Sequence, residues 1–275
     1  MAEPDPHVFM RALALTMLGA AGTTLGGLVI VAYPHPTPKK LGMLQGLAAG
    51  LMLCISFMDL LPKSMAVIGF ARANMFFYQG VAFFAVIVAL IPEPNADALL
   101  GKGKDEEWRS LSSETPVKKH RKQVMFSGLV TALGIALHNF PEGIAVFLAS
   151  MKATHTGLTL AVAIALHNIP EGIAVALPVY FATRSRWKAL QLAVISGLAE
   201  PAAVIVVGGL LPVNFSEQTV ECMLAAVGGI MAFLTVHELI PLAIEHSGRT
   251  VATTAIFVGM MMMSLSLHWL DGLEP

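Results

Sequence analysis

The sequence predicts an all-α polytopic membrane protein with eight transmembrane helices, and three observations predict it. Of 275 residues, 56% are hydrophobic and only 13% are charged, with a mean hydropathy of +0.71. Soluble domains carry about 25% charged residues. The apolar residues fall into eight runs, each with the roughly 20 residues needed to cross about 30 Å of hydrocarbon. The runs do not alternate and are far longer than barrel strands. A backbone in lipid must satisfy its own hydrogen bonds, so each run is a helix.

The runs lie near 8–32, 41–62, 73–92, 124–150, 156–180, 187–211, 218–243 and 250–270. The first follows the acidic start "MAEPDPHVFMRALAL", which lacks the basic region of a signal peptide and so reads as a retained span. The second carries Gly42, Gly46 and Gly50, spaced four apart, a small-residue face for close helix contact. It ends in "SFMDLLP", with Asp59 near its end. Between spans three and four lies the long polar segment 93–123, mixed in charge and expected to be a cytosolic loop within a single transporter domain, 1–275. The sixth span contains "SGLAEP" with Glu200, and the seventh "VHELIP" with His237 and Glu238. The eighth carries Met260 to Met263, read as packing or lipid-facing, since thioethers are poor ligands for hard divalent ions. Cys54 and Cys222 belong to no CxxC pair, so no disulfide framework or thiolate metal site is implied.

Basic residues give the orientation. With the N-terminus outside, 13 Lys and Arg fall in inside loops and 4 outside. The positive-inside rule selects that arrangement and puts both termini on the non-cytosolic side. A net charge of −1 gives no argument for nucleic acid.

The chemistry is concentrated in spans four and five. "IALHNFPEGIAV" (135–146) and "IALHNIPEGIAV" (164–175) agree at eleven of twelve positions, 29 residues apart. In each copy a histidine and a glutamate, His138 with Glu142 and His167 with Glu171, stand at i and i+4 on one helix face. Asn139 and Asn168 lie three residues before those glutamates, on the same side. Pro141 and Pro170 lack an N–H and each frees a carbonyl four residues back, at Leu137 and Leu166. Consecutive spans run antiparallel, so the copies face each other near the bilayer midplane, as in inverted-repeat transporters. Glu200 follows Glu171 by another 29 residues. A carboxylate inside a span costs roughly 2.5–3.5 kcal/mol. Five of them (Asp59, Glu142, Glu171, Glu200 and Glu238) call for a compensating cation.

These motifs resemble the ZIP (Zrt/Irt-like) family of metal transporters, and the doubled HNxPEG string is most similar to its ZupT/GufA-type branch. The resemblance covers the whole chain and implies a ZIP-type bundle with inverted-repeat character. It implies a binuclear metal site, with His138, Glu142, His167 and Glu171 at the first position. Asn139, Glu142, Asn168, Glu171 and Glu200 would form the second, both motif glutamates bridging. It links His237 and Glu238 to the metal route, and Asp59 is a further candidate there. The long loop departs from many relatives in lacking a histidine-rich tract, which puts loop-based zinc sensing in doubt.

The expected function is transport of divalent metal toward the cytosol, zinc first, with iron, manganese, cobalt and cadmium also compatible with a nitrogen and oxygen ligand set. No prosthetic cofactor is expected, and the metal is cargo. The partners are divalent ions and the lipid bilayer, with a homodimer compatible, in the plasma membrane or the ER membrane. The competing class is an intramembrane zinc-dependent hydrolase. Against it, "HELIP" has Pro241 where a zincin helix needs a second histidine.

Overall fold

A computed structural model describes residues 6–33, 37–90, 139–152, 154–210 and 215–271. Every described element is helical. We number them α1 (Pro6–Ala32), α2 (Pro38–Ile68), α3 (Phe70–Leu90), α4 (139–152), α5 (Thr154–Thr183), α6 (Arg186–Leu210), α7 (Glu217–Ser247) and α8 (Arg249–Asp271). Seven of these are long and apolar enough to cross a membrane. The remaining one, α4, belongs to the predicted fourth span, described only from residue 139 onward. The predicted loop 93–123 lies outside the described residues.

Local sequence sets the helix starts. Thr37, Ser185 and Ser216 are extended N-cap residues whose hydroxyls accept the backbone N–H of Lys40, Lys188 and Thr219. Pro38 follows Thr37 at the first helical position, where its missing N–H costs nothing. Helix α6 is interrupted by a single turn at Leu198, three residues before Pro201. The proline has no N–H for the Gly197 carbonyl, and its ring would crowd that group.

The helices sort into two groups. In the first, α1 packs on α5 and α6, and α4 joins them. Gly172 of α5 meets the Thr23 backbone of α1, and Gly143 of α4 meets the Glu200 backbone of α6, so closely that a Cβ would clash with main chain. In the second, α2 packs on α8 and α7 on α3. The expected small-residue face is used here: Gly42 meets α7 at Ala243 and Ser247, while Gly46 and Gly50 meet α8 at Ala252, Ala255 and Ile256. Without a hydrophobic drive between helices in lipid, such backbone approach is what holds them together. A shared core joins the groups, with Ala145, Leu148 and Ala149 of α4 among Met52 and Ile55 of α2 and Leu224 and Met231 of α7.

Within the second group, α2–α3 and α7–α8 repeat one design. At Ile55–Leu60 and Thr235–Leu239 the helix widens, so that Leu61 N–H reaches Ser56 O and Ile240 N–H reaches Thr235 O, five residues back. Pro62 and Pro241 follow each widened turn. Widening relieves the clash between a proline ring and the carbonyl four residues back. Each unit then ends at a glycine with positive φ, Gly69 at 82° and Gly248 at 81°, which turns the chain directly into the next helix.

Candidate metal centre

Helix α5 runs unbroken through Pro170 and presents His167, Asn168 and Glu171, all buried. Helix α4 presents Asn139 and Glu142, both fully buried. The glycine contacts described above bring α1, α4, α5 and α6 close enough for these side chains to meet. One ligand atom each from Glu142, His167 and Glu171 lies within 4.8 Å of the others.

The contacts within the cluster prepare it for a cation. His167 Nδ1 lies 3.2 Å from Ala163 O, one turn back on its own helix. A carbonyl only accepts, so Nδ1 carries the proton and the ring turns Nε2 outward. Nε2 stands 2.9 Å from Glu142 Oε1. A neutral imidazole lone pair and a carboxylate oxygen repel at that distance unless a proton or a metal ion lies with them. A histidine fixed by a backbone carbonyl on one nitrogen and open on the other is the common arrangement of a metal ligand.

The second motif position builds an adjoining set. Asn168 Nδ2 donates to Gly19 O at 3.1 Å and to Glu200 Oε1 at 2.5 Å. Asn139 Nδ2 donates to Ser196 O at 3.3 Å. With its amide nitrogen occupied, Asn168 leaves Oδ1 as its ligand-type atom. Asn168 Oδ1 and Glu200 Oε2 are buried and meet no hydrogen-bond donor among the described residues. Unsatisfied buried oxygens carry a cost of about 1–3 kcal/mol each, which a bound cation would remove. Glu200 lies within electrostatic reach of Glu142 and Glu171. Three carboxylates thus converge from three helices. Gly19 faces the Glu200 carboxylate, and any side chain there would occupy its space.

His138 and Leu137 lie outside the described residues. The structure does not bring the other candidates into the cluster. Asp59 sits in the widened turn of α2, 8% exposed, and pairs with Lys63 at 2.6 Å. That pairing removes Asp59 from the carboxylates that need an outside cation. His237 and Glu238 lie in the matching turn of α7; His237 is exposed and stacks on Phe233, and Glu238 is half-buried. Sequence reasoning overlooked the supporting carbonyls of Gly19 and Ser196, which no side-chain pattern marks. It also overlooked Glu221, a fully buried carboxylate on α7.

Known proteins resemble this chain over most of its length. The family model described as "ZIP Zinc transporter" matches residues 93–267. The chain is 53% identical over 264 residues to Zinc transporter ZTP29 of Arabidopsis thaliana, covering 94% of both chains. It is 34% identical over 314 residues to Protein zntB of Dictyostelium discoideum, covering 96% of this chain and 83% of that one. It is 38% identical over 270 residues to Zinc transporter ZupT of Chlorobium luteolum, covering 94% of this chain and 97% of that one. The apolar helices and these likenesses make it a multi-pass integral membrane protein and a transporter rather than an enzyme. A family model matching more than half the chain and relatives matched over nearly their whole length lead to one conclusion: this chain belongs to the ZIP zinc transporter family.

Proposed function

We propose that this protein carries zinc, and related divalent ions, toward the cytosol through two adjoining metal positions between α4, α5 and α6. The observation that carries the reading is the buried meeting of Glu142, His167 and Glu171. Those residues, with His138, supply the first position. Asn139, Asn168 and Glu200, with the same two glutamates, supply the second. The glutamates sit between the sets and serve both. The ligands are nitrogen and oxygen without thiolate, which suits Zn²⁺ and also Fe²⁺, Mn²⁺, Co²⁺ and Cd²⁺.

Each side chain has a separate task. The Ala163 carbonyl holds the His167 ring so that Nε2 faces the ion. The Gly19 and Ser196 carbonyls orient the two asparagine amides. Glutamate must be ionised and histidine neutral to bind, so loading displaces protons. Release needs one helix group to shift against the other, which opens the buried site to water. The 13 to 4 division of basic residues supports an orientation with both termini non-cytosolic, and the direction toward the cytosol is carried over from the family resemblance. Asp59, His237 and Glu238, at the matched widened turns of the second group, are candidates for the route to or from the site.

Uptake of radioactive zinc into sealed vesicles tests the reading. Wild type should accumulate zinc, and Glu142→Ala, inserted to the same level, should accumulate at most about a tenth as much. Equal uptake by the two would overturn it.

A further inference from the structure

Glu221 is a fully buried carboxylate that the metal cluster does not use. It lies in the second turn of α7. Its Oε1 takes the ammonium of Lys152 at the end of α4, and Ser64 of α2 donates its hydroxyl to Oε2 at 2.9 Å and to the Glu221 carbonyl at 3.1 Å. The Lys152 side chain is 22% exposed, so the pair stands at the edge of the protein interior.

The placement of this pair gives it a role. Every candidate metal ligand that the structure brings together sits on α4, α5 or α6, in the first helix group. Glu221 and Ser64 sit on α7 and α2, in the second. The Lys152–Glu221 pair therefore crosses the boundary between the group that holds the ligands and the group that holds none. It does so ten residues beyond Glu142, about 15 Å along α4 at 1.5 Å per residue. Arg11, near the start of α1, donates to Ser150 O just before it, so the pair lies on the face where α1 begins. Leu148 and Ala149, one turn deeper on the same side of α4, are packed into the core shared by the two groups.

We propose that Lys152 and Glu221 form a latch that holds the transporter closed on its N-terminal face. This rests on the transport reading, because a site that is loaded and emptied must be reached from both faces in turn. Opening toward this face would part α4 from α7 and α2, and the ion pair would have to separate. A pair whose carboxylate is buried and whose ammonium reaches the edge suits that use. Parting it in place leaves a buried charge without its counter-ion, whereas water entering the gap rehydrates both partners. The open and closed arrangements are then distinct states rather than a continuum.

The test measures accessibility, not only transport. A reporter cysteine replaces Ala149, which is 1% exposed, in a Cys54→Ser, Cys222→Ser background, and the full chain is held in lipid nanodiscs. Its rate of alkylation by a charged maleimide is followed. Lys152→Met and Glu221→Gln should each raise the rate about tenfold, and the double variant should be no faster than either alone, because both remove one interaction. Lys63→Met, which breaks the Lys63–Asp59 pair inside a single helix, should leave the rate unchanged. Equal rates in all variants would overturn the latch, as would a double variant that multiplies the single effects or a Lys63→Met that matches them. Zinc uptake by the same variants is measured in parallel. Accelerated alkylation with no uptake by any protein, wild type included, would keep the latch and retire the transport reading.

Discussion

His167 Nε2 on α5 lies 2.9 Å from Glu142 Oε1 on α4, and both side chains are fully buried. The two residues come from separate copies of one motif. Each motif alone offers a histidine and a glutamate on one helix face, and the pairing across helices turns two half-sites into one cluster. That cross-pairing makes several outcomes specific.

Glu171→Ala should fail as completely as Glu142→Ala. Both glutamates belong to the proposed first and second positions, so losing either disrupts both. At low external zinc each variant should retain at most about a tenth of wild-type uptake while reaching the membrane normally. Vesicle uptake normalised to inserted protein checks this, and substantial uptake by either variant would break the assignment.

Glu200→Gln should behave differently. It belongs to the second position only, and four ligands at the first position are enough for tetrahedral zinc. Zinc uptake should remain measurable while manganese uptake falls further, because an anionic oxygen has become neutral. Side-by-side zinc and manganese uptake by wild type, Glu200→Gln and Glu171→Gln decides it. If Glu200→Gln is as inactive as Glu171→Gln for both metals, the two-position hierarchy is wrong.

Gly172→Ala should destabilise the fold by about 1–3 kcal/mol, because its Cβ meets the Thr23 backbone and two helices must move apart. Among the described residues nothing lies within 4 Å of a Cβ placed at Gly209, so Gly209→Ala should be neutral or slightly stabilising. Thermal unfolding of the purified variants compares them; equal loss at both sites would contradict the close α1–α5 crossing.

Tags at either terminus should be labelled from outside intact cells, and a tag near Ser112 should not. The basic asymmetry predicts this. Labelling at Ser112, or at neither terminus, would overturn the orientation.

The sequence made the centre legible because repetition carries information that a single polar residue does not. A buried histidine can be a packing residue, but the same six-residue cluster twice is too specific a pattern for packing. Glycine spacing likewise exposed the α2 contact face. The partners were harder. Asp59 looked like one more uncompensated carboxylate, yet Lys63 stands one turn on, and the i, i+4 rule alone would have paired them. The matched turns of α2 and α7 share an acidic residue, a leucine, a proline and a closing glycine. They lie 179 residues apart with few identical letters, so the likeness emerges only once both helices widen at the same place. Glu221 sits near the start of its span and Lys152 in a short connection, where each resembles an ordinary interfacial charge. Only tertiary packing joins them.

Zinc X-ray absorption on the purified, zinc-loaded protein reads out whether Glu142, His167 and Glu171 hold the transported ion. The expected spectrum has nitrogen and oxygen neighbours at about 2.0–2.1 Å, with imidazole scattering that weakens in His167→Ala. A sulfur shell near about 2.3 Å, or a spectrum unchanged by His167→Ala, would place the metal elsewhere and contradict it.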